Sequence, residues 1–170
     1  MIAWRLCRHP FADLKGDGAR LYGGRWNSPG RPMVYLAEHP ALAALEVRVH
    51  LDLPLDLIPD DYVLMRINVP DAPFEPPDTA KYGDAWLAEP RGPALRVPSV
   101  LVPHAWNILL NPRHPDAERS FVSAVDAFKF GPRLWRPLAG EGSWFSDCEA
   151  AEPRLHPRRF APSTRRGRRI

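Results

Sequence analysis

Apolar and polar residues alternate in several short stretches of this chain, and a helical period interrupts them once clearly. Ile2 to Cys7 reads as a first strand. From Arg31 to Glu38, Met33, Tyr35 and Ala37 face one way and Val34 and Leu36 the other, which gives Tyr35 a defined side. Tyr62 to Val69 places Val63, Met65, Ile67 and Val69 on one face before Pro70 closes the strand. Leu95 to Val102 alternates again, with Ser99 on the face of Leu95, Val97 and Leu101. Asn107 and Asn111 lie opposite Ile108 and Leu110, and Asn111-Pro112 then turns the chain. Phe121 to Phe130 is a last, less regular strand. The helical stretch is Pro40 to Leu51, with Pro40 suited to the first helical position and Pro54 beyond its end. Leu42, Leu45, Glu46 and Val49 share one face of it, so a carboxylate is expected where the apolar stripe points. Asp71 to Pro93 carries five prolines and a short helical piece around Gly83 to Ala88, and reads as a surface excursion. These elements predict an α+β fold: about six short strands in a split, mixed or antiparallel sheet, with short helices packed outside.

Length and composition narrow the picture. The chain has 170 residues, enough for one domain with a real core. It is 45% hydrophobic and 25% charged with a formal charge of +3, which is ordinary for a soluble protein. Its 21 prolines favour many short elements over long helices, and no internal repeat is visible. Cys7 and Cys148 are too few for a disulfide framework or a zinc site, so a reducing cytoplasm is the expected location. The opening MIAWRLCRHP reads neither as a signal peptide nor as a membrane span. From Arg136 onward the sequence turns Pro- and Arg-rich, ending PRRFAPSTRRGRRI, and a solvated tail is expected. Its acidic residues, and the lack of any accompanying stacking or groove-reading motif, argue against direct nucleic-acid binding.

The candidate chemistry gathers between Leu21 and His50. Gly23-Gly24 and Pro29-Gly30 bracket Arg25-Trp26-Asn27-Ser28, a loop that brings a guanidinium, an indole and an amide together. Such a loop suits a ligand that is both anionic and aromatic. An Arg25–Glu46 ion pair tying loop to helix, with Trp26 as core, accounts for the same residues. A carboxylate facing a core must be paired, hydrogen-bonded or neutral. Ser99, one hydroxyl on an apolar face, is equally explained by a bond to nearby backbone, and Asn111 by turn formation. His50, one turn beyond Glu46, can reach the same region, although capping of the helix end also explains it. No histidine pair has metal-ligand spacing, no Cys–His nucleophile is evident, and no Gly-x-Gly-x-x-Gly opens a helix after a strand.

Several blocks in order, GARLYGGRWNSPGRPMVYLAEHPALAALEVRVHL, LRVPSVLVP, NILLNPRHPD and FKFGPRLW, resemble the RES domain. That family is the toxin half of the bacterial RES–Xre type II toxin–antitoxin systems. The likeness runs from Trp4 to Trp135. It implies a fold similar to the diphtheria-toxin-like ADP-ribosyltransferases, consumption of NAD as substrate, no metal, and a cognate Xre-like antitoxin as partner. The family's motif Arg, Tyr, Glu and Ser fall on Arg25, Tyr35, Glu46 and Ser99. On this resemblance Glu46, Arg25 and Tyr35 are the expected catalytic residues. Arg25, Tyr35, Ser99, Trp26, Asn27 and Asn111 are the expected NAD contacts. Residues 1–135 would form the catalytic domain and 136–170 a basic extension. ADP-ribose would pass to a protein target, to water or to phosphate. A non-catalytic binding or assembly module with a structural Arg25–Glu46 pair is the competing expectation.

Overall fold

A computed structural model describes residues 1–73, 80–89 and 91–135 of the chain. The expected tail beyond Trp135 lies outside the described residues, as do the middle of the Asp71 to Pro93 excursion and Pro90. The strands are β1 (Ile2–Arg8), β2 (Val34–Ala37), β3 (Tyr62–Asn68), β4 (Ala94–Pro98), β5 (Trp106–Leu110) and β6 (Phe121–Ala127). The α-helices are α1 (Asp17–Tyr22), α2 (Pro40–Arg48) and α3 (Ala80–Ala88). The strands form one six-stranded sheet in the order β4-β5-β2-β1-β3-β6, with every neighbouring pair antiparallel.

That sheet is divided. β1 runs along the whole of β3, from Ile2 opposite Asn68 to Arg8 opposite Tyr62, while β2 meets β1 at one register pair, Trp4 opposite Ala37. Of the expected split, mixed or antiparallel α+β arrangements, the antiparallel one is realised, as two three-stranded halves meeting at a narrow seam.

Side-chain alternation sorts the core onto two faces. Ala3, Val34, Leu36, Val63, Met65, Ile67, Ile108 and Leu110 pack together on one of them. On the other, Leu6, Ala37 and Tyr62 meet Leu42 and Ala43 of α2. Further along that face Met33, Leu95, Val97 and Leu109 meet Trp26 and Trp86 of α3. The two clusters on this second face flank the seam, and the gap between them is where a pocket can open.

Three expectations need correction. The last strand, β6, stops at Ala127, short of the expected Phe130. The stretch from Leu95 does not stay extended to Val102: β4 stops at Pro98, and Ser99 begins a turn. Its hydroxyl accepts the Leu101 and Val102 N–H groups at 3.1 and 3.3 Å, a local bond that competes with the ladder. The helix ends at Arg48, and its buried stripe is Leu42 with Ala43, not Leu42 with Leu45 and Val49. Leu45 and Val49 are 37% and 53% exposed. With Leu42, Ala43 and Val47 turned to the sheet, the half-buried Glu46 lies at the margin of the packed stripe instead of its centre.

Candidate active site

The loop between α1 and β2 is built from inside. Trp26 is buried against Met33, Trp86 and Leu95. Asn27, only 1% exposed, donates from Nδ2 to the carbonyls of Ala19 and Arg31 at 2.9 and 2.8 Å, and its Oδ1 accepts the Tyr35 hydroxyl at 2.7 Å. The same hydroxyl accepts the Trp26 N–H at 3.0 Å. From outside, α3 presses on the loop, and the reason is a glycine. A Cβ on Gly83 would stand 1.8 Å from the Trp26 carbonyl oxygen, so only Gly permits this approach. Burial pushes the Tyr35 phenol up to about 12, opposed by the Trp26 N–H bond and assisted by the Asp84 carboxylate. Tyr35 is therefore a neutral phenol whose oxygen is engaged by the loop.

On the other wall, His39 caps α2 by accepting the Ala41 N–H at its Nδ1, 3.2 Å away, with Pro40 in the first turn. Glu46 follows on the cleft side. Its Oε1 accepts both the Ser99 hydroxyl at 3.1 Å and the Asn107 amide at 2.7 Å. Oε2 has no hydrogen bond among the described residues. Ser99 thus folds its own turn, as expected, and also holds the carboxylate, but this expected NAD contact is not among the residues lining the cavity. Fixed by one oxygen, the carboxylate has acceptor capacity left on the other.

The cavity itself has a volume of about 700 Å³, with Arg25, Trp26, Tyr35, Glu46, His50 and Asn107 among its walls. Arg25 is exposed and makes no hydrogen bond or ion pair among the described residues, so the loop and helix are not tied by an Arg25–Glu46 pair. Asn27 and Asn111 do not line the cavity. Asn27 builds the loop. Asn111 is buried elsewhere, donating to the Leu87 carbonyl at 3.4 Å and accepting the Arg113 N–H at 3.1 Å. Strand alternation puts Asn107 and Asn111 on the same side, but four residues of strand span about 13 Å, so both cannot reach one carboxylate. Asn107 is the one that does, because β5 pairs it with Ala37 beside the seam. The sequence signal for it was present in that alternation, without anything to rank it above Asn111. His50 lines the cavity, and the last α2 carbonyls are met by backbone, with the Val49, His50 and Leu51 N–H groups donating to the carbonyls of Leu45, Val47 and Arg48.

Among the described residues no group of three or more His, Cys, Asp or Glu side chains could hold a metal ion. No helix among them is long and apolar enough to cross a membrane.

Comparison with known proteins adds three findings. The family described as the RES domain matches residues 2–131. Sequence relatives include the protein named Toxin Res of Pseudomonas putida, 36% identical over 139 residues, or 74% of this chain and 94% of the relative. The protein named Prs ADP-ribosylating toxin of a Sphingobium species is 38% identical over 146 residues, covering 73% and 88%. Among solved structures, the M. tuberculosis MbcT–MbcA toxin–antitoxin complex contains a chain that superposes with a TM-score of 0.56 at 19% identity, covering 79% of this chain and 86% of that one. That likeness is one of fold.

Proposed function

The chain belongs to the RES domain family, and from that membership and the cleft geometry we propose that it is a toxin of a toxin–antitoxin system. Its activity is to cleave the nicotinamide–ribose bond of NAD in the cytoplasm, and a cognate Xre-like antitoxin neutralises it. The observation that carries this reading is the Glu46 carboxylate in the cavity wall, anchored through Oε1 by Ser99 and Asn107, with no hydrogen bond to Oε2 among the described residues.

The cavity suits the substrate. Its 700 Å³ lies within the usual range for small-molecule sites, roughly 300–1,000 Å³. Its walls offer an aromatic ring from Tyr35, and an exposed guanidinium from Arg25 that can pair with a pyrophosphate. In the reaction the bond between ribose C1′ and the nicotinamide nitrogen breaks, and its electron pair leaves with neutral nicotinamide. Positive charge builds on the ribose, as in glycoside hydrolysis. Glu46 Oε2 stabilises that charge and orients the ribose hydroxyls; because Ser99 and Asn107 hold the carboxylate in advance, no reorganisation is needed at the transition state. The acceptor supplies the new electron pair to C1′ and gives up its proton. The relative named as an ADP-ribosylating toxin supports a protein side chain as acceptor, with water or phosphate as the routes that merely degrade NAD. The assembly-module reading depended on an Arg25–Glu46 pair, and those residues are not paired.

Two measurements test this. Purified Glu46→Gln keeps the Oε1 acceptor but loses the charge, and its NAD turnover is expected to fall by about a hundredfold or more. Turnover at the wild-type rate would remove the carboxylate from the mechanism. Mass spectrometry of products, with and without lysate, then identifies the acceptor.

A further inference from the structure

The last described residues fold back on α2. Trp135 Nε1 donates to the Leu53 carbonyl at 2.7 Å, and the indole packs edge-on against Phe130 with centroids 5.2 Å apart. Phe130 in turn meets Tyr62 of β3 edge-on at 5.4 Å. The Arg48 guanidinium lies over the Trp135 ring, 4.0 Å from its centroid. From there Arg48 Nε donates to the Leu134 carbonyl and Nη1 to the Leu51 carbonyl, both at 3.1 Å. One arginine therefore joins the final turn of α2, the segment after it, and the 134–135 corner, and the corner is seated on β3 through two aromatic rings.

α2 needs such a fixture. It has nine residues, and helices under about 12–15 residues are marginal without tertiary contacts. Leu42, Ala43 and Val47 seat it on the sheet, while Leu45 and Val49 on its outer side are exposed. Glu46 stands two positions before Arg48, so the angle of the last turn sets where Oε2 sits in the cavity. Leu134 and Trp135 lie beyond residues 2–131, the segment matched by the family.

We propose that Arg48 and Trp135 are positioning residues: their clasp fixes the pitch of the Glu46 helix and so aligns the carboxylate with the substrate. This rests on the role given to Glu46 above. The contacts are partly exposed, and their effect falls on alignment more than on global stability; a displacement of about 1 Å at a reacting centre can cost a hundredfold in rate.

The test compares Trp135→Ala, Arg48→Ala and Trp135→Phe in the full chain. In the alanine variants kcat for NAD is expected to fall about tenfold or more, with KM within about twofold of wild type. Phe keeps a ring beneath the guanidinium and is expected to recover most of the rate. Amide exchange in the last turn of α2 is expected to quicken by about tenfold in both alanine variants, a readout that needs no NAD. Wild-type kcat in Trp135→Ala, or a loss shared equally by Trp135→Phe, overturns the clasp. If wild-type protein itself leaves NAD intact, the reading of Glu46 falls, and the exchange result alone decides: unchanged protection of α2 sinks the clasp.

Discussion

Tyr35→Phe separates two jobs that one side chain performs. The ring lines the cavity, whereas the hydroxyl receives the Trp26 N–H and donates to Asn27 Oδ1. Phe keeps the first and deletes the second. Trp26 and Asn27 are 3% and 1% exposed, so their polar groups are largely shielded from water once the partner is lost. Each buried polar group left unpaired costs about 1–3 kcal/mol, and the apolar replacement returns a little of that, so we expect a loss of roughly 2–4 kcal/mol. That is a large share of a typical domain stability of about 5–15 kcal/mol. Urea unfolding monitored by tryptophan fluorescence measures it as a lower midpoint at unchanged slope. Because Arg25 adjoins the loosened loop, KM for NAD is expected to rise severalfold at temperatures where the variant is folded. The pH dependence gives an internal control. Burial raises the phenol from about 10 to about 12, so the folded state holds its proton more tightly than the unfolded chain. The corresponding stability is complete below about pH 10 and is lost as pH rises through about 12. Burial shifts Tyr62 in the same direction, so the difference between wild type and Tyr35→Phe isolates the Tyr35 share. A destabilisation below about 0.5 kcal/mol, with parallel pH curves, would refute the claim that this hydroxyl holds the loop.

Two further substitutions probe the same architecture. Gly83→Ala should improve helix propensity by about 1 kcal/mol, yet its Cβ would stand 1.8 Å from the Trp26 carbonyl oxygen; we expect net destabilisation of about 1–2 kcal/mol in thermal melts, and a stabilised variant would show that α3 can move away freely. Asn107→Ala removes the 2.7 Å bond to Glu46 Oε1 and should lower kcat/KM for NAD about tenfold, whereas Asn111→Ala should affect stability and leave kcat near wild type, since Asn111 is buried away from the cavity.

The contrast between those asparagines shows how far sequence reasoning reaches. Alternation between two faces is a property of a strand alone, so most strands, the side taken by Tyr35 and the α+β class could be inferred from residue order, while the choice between a mixed and an antiparallel sheet could not. Pro40 and the Ala/Leu run likewise announced α2. What residue order could not supply was the rotation of that helix on the sheet. The stripe through Leu45 and Val49 is as periodic as the one through Ala43 and Val47, and only packing on the sheet shows that the second is the one turned inward. Nor could it say that Ser99 lies past the end of β4 or that β5 sets Asn107 beside Ala37. Asn27 carried the features of a ligand contact in a glycine-bracketed loop, and only the fold reveals an amide consumed by its own loop's carbonyls. The sequence by itself determined most of the strands, the helix α2 and the chemical groups they carry, though not the short helix α1, because local periodicity and turn chemistry are short-range. Tertiary packing decided which of those groups converge on one carboxylate, because strand register and helix rotation are settled by contacts between residues distant along the chain.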